Sequence, residues 1–403
     1  MDEAPRPWVI LAVATGSQAA GACFGHGIAF LIPAMHESGT SLAQAGTIAA
    51  MPLIGTMLTL VAWGAAADAF GERIVLVIGT AGTALTAALA ALEADDTIAL
   101  GTLLLVGGAF AASTSAASGR MVAGWFPPRR RGLAMGVRQM AQPLGVGLGA
   151  ATMAPLSLAL GVGAALWVPA GVATLAALGC AALLADPPRP PRAEASRAGA
   201  LTHPYGGGYL VRIHLASMLL VIPQFTVWTF ALVWLVGDLG WAAGVAGAFV
   251  AGMQLLGALG RIGAGQVSDL AGSRLRPMRW IALLASATML GLAVTDRLGW
   301  DVAAVVLLVA ATVVTVADNG LAYTAIAEHA GPYWSGRALG AQNTGQYLAA
   351  SAVPPVLGAL VATAGFAATF AVVAAFPLIA APLTPVEGEA AFAEPADAAR
   401  PPS

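Results

Sequence analysis

Lysine is absent from this chain: all eighteen basic residues are arginine. That removes lysine as a proton carrier or a substrate clamp. Charge of either sign is scarce, at 9% of residues, where a soluble domain carries roughly 25%. The net charge is only -2, so nothing in it attracts nucleic acid. There are two cysteines, Cys23 and Cys180, each inside an apolar run, and no disulfide framework is implied. The chain has no Gly-x4-Gly-Lys-Ser/Thr loop, no metal-ligand cluster and no catalytic triad. Direct drive by ATP, a metal, a cofactor and enzymatic activity are therefore not expected.

What fills the chain instead is apolar sequence. Of its 403 residues 58% are hydrophobic, and the mean hydropathy is +0.80. The apolar residues form long runs, predicted as membrane-spanning helices over 8–35, 42–67, 74–92, 98–125, from the Arg129-Arg130-Arg131 cluster to 160, and 162–184. A second set follows over 209–236, 240–267, 278–294, 302–326, 336–364 and 366–383. Each approaches or exceeds the ~20 residues that cross a bilayer. The polar residues 1–7 do not resemble a cleaved signal peptide. The expected organisation is an all-α integral membrane protein of twelve spans in two halves, 1–185 and 209–385. Between them lies a Pro- and Arg-rich linker, 186–208, with a disordered tail at 386–403 containing Glu387, Glu389, Glu394 and Asp397.

The halves repeat one another. Gly64-Ala-Ala-Ala-Asp68-Ala-Phe-Gly71-Glu-Arg73 and Gly265-Gln-Val-Ser-Asp269-Leu-Ala-Gly272-Ser-Arg274 share the pattern Gly-x-x-x-Asp-x-x-Gly-x-Arg, with every motif position 201 residues apart. Met51-Pro-Leu-Ile-Gly55 pairs with Met253-Gln-Leu-Leu-Gly257, Ala134-Met-Gly136 with Ala338-Leu-Gly340, and Ser118-Gly119 with Asn319-Gly320. Duplicated polar loops between apolar spans resemble the loop 2–3 and loop 8–9 signature of the major facilitator superfamily. The resemblance implies a twelve-helix secondary carrier built from a parallel repeat. It also implies that Gly64, Asp68, Gly71, Arg73, Gly265, Asp269, Gly272 and Arg274 serve as hinge and gate, not as substrate ligands. Arg120, near the end of the fourth span, is expected opposite Asp68.

Arginine also predicts orientation. Loops after the even-numbered spans carry nearly all of it, from Arg73 and Arg129–Arg131 to Arg337, whereas the opposite loops hold Arg297 among acids such as Glu37, Asp95 and Asp301. Basic loops stay inside, so both termini and the linker are expected in the cytoplasm of a cell-membrane protein.

Ionisable groups within spans are functional candidates. They are His26, Arg120, Arg138, Arg261 and Asp318. Arg261 precedes Gly265 by one turn and Asp269 by two, about 12 Å along the helix from the loop acid at 1.5 Å per residue. This placement resembles the substrate-binding arginine of oxalate:formate antiporters and monocarboxylate transporters. A guanidinium fork offers a carboxylate two parallel hydrogen bonds. Those carriers have an Asp one turn earlier, where this chain has Gly257. The other reading of Arg261 is a pair with an acid at the gate. In the fifth span Arg138, Gln139 and Gln142 form a polar patch, matched in the eleventh by Gln342, Asn343 and Gln346, ahead of Tyr347. They are expected at a central cavity, with interhelical hydrogen bonding as the alternative, and Arg138 has a second possible role at the gate against Asp269. In the tenth span Asn319 and Tyr323 lie one turn apart. Asp318 and His26 are proton-carrier candidates, with ion pairing and ordinary packing as their alternatives. Gln18, Gln224, Trp228 and Gln254 are weaker cavity candidates.

The expected function is secondary transport of a small organic anion, monocarboxylate-like, with proton coupling, by a monomer in the lipid bilayer. Efflux of hydrophobic compounds is the alternative, although the fifth span reads Gln142-Pro143-Leu144-Gly145 and lacks the Gly-Pro-x-x-Gly-Gly pattern of drug:proton antiporters. A non-transporting sensor of the same fold is the alternative of another class.

Overall fold

The computed structural model describes residues 7–197 and 199–389. Among them every regular element is helical: α1 (Pro7–Gly27), α2 (Ile32–Glu37), α3 (Leu42–Phe70), α4 (Glu72–Leu92), α5 (Thr97–Trp125), α6 (Pro128–Arg138), α7 (Ala141–Leu160), α8 (Val162–Leu183), α9 (Arg192–Arg197), α10 (Tyr209–Gly237), α11 (Ala243–Ala271), α12 (Leu275–Leu298), α13 (Asp301–Val314), α14 (Asn319–Ala330) and α15 (Ser335–Leu383). Eleven helical runs are long and apolar enough to cross a membrane. The last of them holds two spans, because Gly365 leaves helical geometry at φ 80° and ψ 176°. The twelve expected spans are all present, and the predicted boundary between the last two falls on that glycine.

Three predicted spans are interrupted, two of them by proline. A proline ring cannot donate to the carbonyl four residues back and collides with it. Pro33 follows the 3-10 turn Ile28–Leu31 that separates α1 from α2. Pro143 would have bonded the carbonyl of Gln139, and the helix breaks at Gln139 and Met140, between α6 and α7. The third break, at 315–318, contains neither proline nor glycine. There α14 starts directly behind Asp318, whose carbonyl accepts from the Leu321 and Ala322 N–H groups.

The described chain forms two compact units. Among the described residues the first comprises 7–125, 137–197, 199–204 and 326–347. Its core packs Phe24, Ile28, Leu31, Leu104, Met153 and Leu166 from α1, α5, α7, α8 and the 3-10 turn. The second comprises 126–136, 205–325 and 348–389. Its core centres on Trp234, fully buried, whose indole N–H donates to Asp296 Oδ1 at 2.7 Å. Phe370 meets that indole edge-on at 5.9 Å, and Phe366 does the same to Phe230 at 6.5 Å. Large apolar side chains also face outward, Ile98 at 80% and Val302 at 82% exposure. A bilayer covers such surface at no cost.

In each unit two helices meet backbone to backbone. A Cβ built on Gly64 would stand 2.1 Å from the Gly336 carbonyl oxygen, and one on Gly336 would stand 2.2 Å from the Gly64 oxygen. In the second unit the same holds for Gly265 against Gly132 at 2.1 Å and the reverse at 2.4 Å. One turn further on, Gly340 lies on the Leu60 and Val61 backbone, and Gly136 on that of Arg261 and Ile262. Small residues at membrane helix interfaces let backbones approach in this way. Gly64→Ala or Gly336→Ala forces backbone apart and is expected to cost about 1–3 kcal/mol, the range for overpacking a tight interface. Gly16→Ala, where a Cβ has nothing within 4 Å, is the control. Thermal unfolding in detergent checks this, and equal melting temperatures for all three variants and the parent contradict it.

Candidate functional site

The contacts of the first motif loop follow from what helix starts lack. The first amides of a helix have no partner within it and carry partial positive charge, so a carboxylate placed there is doubly favoured. Asp68, 4% exposed, accepts from the Gly336 N–H (2.8 Å) and the Arg337 N–H (3.0 Å), the first turn of α15. Asp269 accepts from the Gly132 N–H (3.0 Å) and the Leu133 N–H (2.8 Å), the fifth and sixth residues of α6, beyond its unpartnered first turn. The glycine contacts bring each carboxylate within reach of those amides.

Beyond this point the copies differ. Arg274 is fully buried and pairs with Asp269 at 2.5 Å. It also reaches the Ser268 hydroxyl at 2.9 Å and the Pro128 carbonyl. Arg73 is exposed and turns away, donating to the Ala181 carbonyl at 2.5 Å. Glu72, at a variable motif position, takes over the ionic role in the first copy. It is fully buried, paired with Arg120, and bonded to Arg189 of the linker at 2.5 Å. Arg120 was expected opposite Asp68. Its ion pair is with Glu72, while its charge also acts on Asp68.

The chain following the sixth and twelfth spans closes over these loops. Asp186 accepts from the Arg73 N–H at 2.8 Å, and Arg189 also donates to the Asp68 and Ala67 carbonyls, each at 2.7 Å. Glu389 accepts from the Arg274 N–H and the Ser273 hydroxyl. Glu387 pairs with Arg279 at 3.2 Å. The expectation of a disordered tail from 386 therefore needs correction as far as Glu389: Val386–Gly388 is a 3-10 turn, and basic and amide groups hold the acids in place. Glu394 and Asp397 lie outside the described residues.

The membrane-embedded candidates fall into two clusters, one per unit. In the first, Arg138 ends α6 just before the Pro143 break and is 1% exposed. Its Nε donates to the Ser118 hydroxyl at 2.9 Å and a terminal nitrogen donates to the Ser115 carbonyl at 3.2 Å. Ser118 in turn lies 3.4 Å from the Gln18 side-chain oxygen. Gln139, Gln342, Asn343 and Gln346 are buried in the same unit, and Gln142 is half-buried. Asn343 spends its amide N–H on the Leu339 carbonyl of its own helix at 2.8 Å. His26 is half-buried at the end of α1, beside the 3-10 turn.

The second cluster assembles Arg261 of α11, Asp318 and Asn319 at the start of α14, Tyr323, and Gln224 and Trp228 of α10. Arg261, Asp318, Asn319 and Tyr323 are all buried. The Arg261 guanidinium carbon stands 5.9 Å from the Trp228 ring centroid, and the Asp318 carboxylate supplies opposite charge to it. The Asn319 amide donates to Gln224 Oε1 at 2.8 Å. Asp318 Oδ2 is buried with no hydrogen-bond partner among the described residues, as is the Thr315 hydroxyl in the same break. Sequence reasoning missed Glu72, Asp186, Arg189 and Glu389. The one available signal was an acid in the first turn after the Gly71 motif glycine.

These features define a multi-pass membrane protein with duplicated polar loops and buried polar clusters. The sequence profile of the Major Facilitator Superfamily matches residues 11–354. An MFS-type transporter of Mycobacterium tuberculosis, Rv2994, itself described as uncharacterized, is 48% identical over 383 residues, spanning 94% of this chain and 85% of its own. Among solved structures, the proton:xylose symporter XylE superposes with TM-score 0.71 at 16% identity, covering 93% of this chain and 94% of that one. The transporter FucP in its outward conformation gives 0.72 at 16%, covering 93% and 99%. The human organic anion transporter MFSD10 gives 0.69 at 18%, covering 94% and 100%. The chain belongs to the Major Facilitator Superfamily, a family of membrane transporters.

The Glu72–Arg120 pair yields a stability prediction. Glu72→Ala leaves Arg120 buried without its counter-charge and is expected to cost about 3–5 kcal/mol. Glu72→Ala combined with Arg120→Ala should recover part of that loss. Equilibrium unfolding in detergent measures both, and additive losses in the double variant dispose of the pair.

Proposed function

We propose that this transporter carries a small organic anion, monocarboxylate-like, by alternating access of its two repeat halves, 1–185 and 209–385, with Arg261 as the principal anchor for the substrate carboxylate. The supporting observation is a guanidinium 3% exposed, set against an indole, in the same unit as the buried Asp318, in a chain that has no lysine. Holding a charge there is costly unless function requires it. Arg138 is the second anchor, and Gln139, Gln142, Asn319, Tyr323, Gln342, Asn343 and Gln346 supply neutral hydrogen bonds. Asp318 is the proton carrier, with His26 the lesser candidate. The anion assignment rests on these residues, not on the structural relatives, whose likeness is one of fold.

The loop residues Gly64, Asp68, Gly71 and Arg73, with Gly265, Asp269, Gly272 and Arg274, act as the gate, and Arg120 secures it through Glu72. The carrier works as a monomer in the cell membrane, both termini and the linker facing the cytoplasm. Efflux of hydrophobic compounds is the second reading. One observation favours it: an apolar groove of 370 Å³ lined by Trp8, Leu11, Thr15, Val137 and Leu144.

Loss of a charge-assisted hydrogen bond costs roughly 1.5–3 kcal/mol, about ten- to a hundredfold in affinity. Arg261→Gln is therefore expected to weaken uptake of labelled organic acids into proteoliposomes by that factor. Arg261→Lys, which keeps the charge without the fork, should rescue only part. Normal transport by folded Arg261→Gln, or carriage of neutral and cationic compounds alone, rejects the anion reading.

Orientation has its own test. Cys23 and Cys180 are buried, so a single cysteine placed at Ser196 or at Asp95 reports by itself. Impermeant maleimide should label the Asp95 position on intact cells and the Ser196 position only after permeabilisation. The reverse pattern turns the protein over.

A further inference from the structure

The environment of Arg138 in the first unit points to a residue that orders it. The guanidinium is planar, so two hydrogen bonds to fixed points determine its plane. Both points lie on α5: the Ser118 hydroxyl at 2.9 Å and the Ser115 carbonyl at 3.2 Å. The carbonyl is fixed by the helix itself. The hydroxyl would rotate freely, but its single hydrogen is shared between two acceptors, the Thr114 carbonyl one turn back and the Gln18 side-chain oxygen at 3.4 Å. That turns the oxygen lone pairs outward, towards the Arg138 Nε. Ser118 is fully buried, so no bulk water replaces it.

The second unit contains the counterpart. Ser118 pairs with Asn319 in the internal repeat, 201 residues apart, and each meets a glutamine: Gln18 of α1 in the first unit and Gln224 of α10 in the second, although Gln224 stands five residues beyond the repeat equivalent of Gln18. Ser118 lies 3.4 Å from the Gln18 side-chain oxygen, and Asn319 donates to Gln224 at 2.8 Å. Each unit thus ties the first span of a repeat to its fourth through one buried polar contact. In the first unit that contact also touches the arginine.

We infer that Ser118, backed by Gln18, is a positioning residue for Arg138 that fixes the guanidinium plane for the transported anion. The inference rests on the reading of Arg138 as a substrate anchor. A hydroxyl that only glued helices together would affect folding and turnover. A positioning hydroxyl affects affinity, and does so through Arg138.

The test is uptake of radiolabelled lactate, oxalate and benzoate into proteoliposomes, with the folded fraction of each variant checked by gel filtration. For the acid that the parent carries, Ser118→Ala should raise KM about tenfold with maximal rate within twofold. Ser118→Cys, which fills the site with a poor acceptor, should match it and serves where the alanine variant folds poorly. Ser118→Thr, which keeps the oxygen, should restore most of the affinity. In an Arg138→Gln background, Ser118→Ala should add nothing. If Arg138→Gln raises KM but the Ser118 variants do not, the positioning role is wrong and the anchor stands. Equal damage from Ser118→Ala in both backgrounds makes the residue structural and overturns the inference. A normal KM in Arg138→Gln, or no uptake of any acid by the parent, removes the anchor and the inference with it.

Discussion

The arrangement depends on backbone meeting backbone at two pairs of glycines, Gly64 with Gly336 and Gly132 with Gly265. Only with no side chain between the helices can Asp68 reach the amides of Gly336 and Arg337, or Asp269 those of Gly132 and Leu133. A hydrogen bond to a charged group contributes about 1.5–3 kcal/mol where both partners are otherwise buried. Two such bonds per carboxylate, along a contact with no slack, give an interaction that is either made or broken. A longer, side-chain-mediated contact would yield gradually. In the proposed transport cycle that all-or-none character is what a gate requires, since packed interfaces switch between discrete states.

The same motif reaches ionic balance by different routes in its two copies. In the second, Arg274 folds back on Asp269 inside the loop. In the first, Arg73 leaves for the end of α8 while Glu72 recruits Arg120 and the linker residue Arg189. The repeat therefore operates at the level of backbone and carboxylate, and the counter-charges are local solutions. Asp186 and Glu389 make this clearest. They sit in unrelated sequence, yet each accepts from the backbone N–H of the motif arginine. An N–H at the start of a helix attracts an acid from whatever chain passes over it.

Much of the fold was legible because the bilayer leaves few options. Long apolar runs must be helices there, and the break between the last two spans fell at Gly365, as the pattern required. The duplicated motif located the polar loops. Less legible was whatever depends on a residue the motif leaves variable. Glu72 stands at such a position, and only its burial beside Arg120 reveals its part. Tail composition signalled disorder and linker composition only a connection outside the membrane, although a few charged side chains suffice to pin short segments of each. The break before α7 was readable from Pro143. The break at 315–318 was not, because no residue there forbids a helix by its covalent geometry.

That third break is where local stability is given up most plainly. Asp318 Oδ2 and the Thr315 hydroxyl are buried without hydrogen-bond partners among the described residues, and each such atom costs about 1–3 kcal/mol. Folding gains nothing from them, since a continuous helix of apolar residues would satisfy its backbone and expose no orphan. Arg261 is held close by in the same unit, and Asn319 is tied to Gln224 at the first turn of α14. An acid with an open oxygen, an arginine in the same unit and a helix start fixed by an amide pair form a site with unused bonding capacity. Unused capacity of this kind in a membrane interior is what the proposed role of Asp318 as proton carrier calls for.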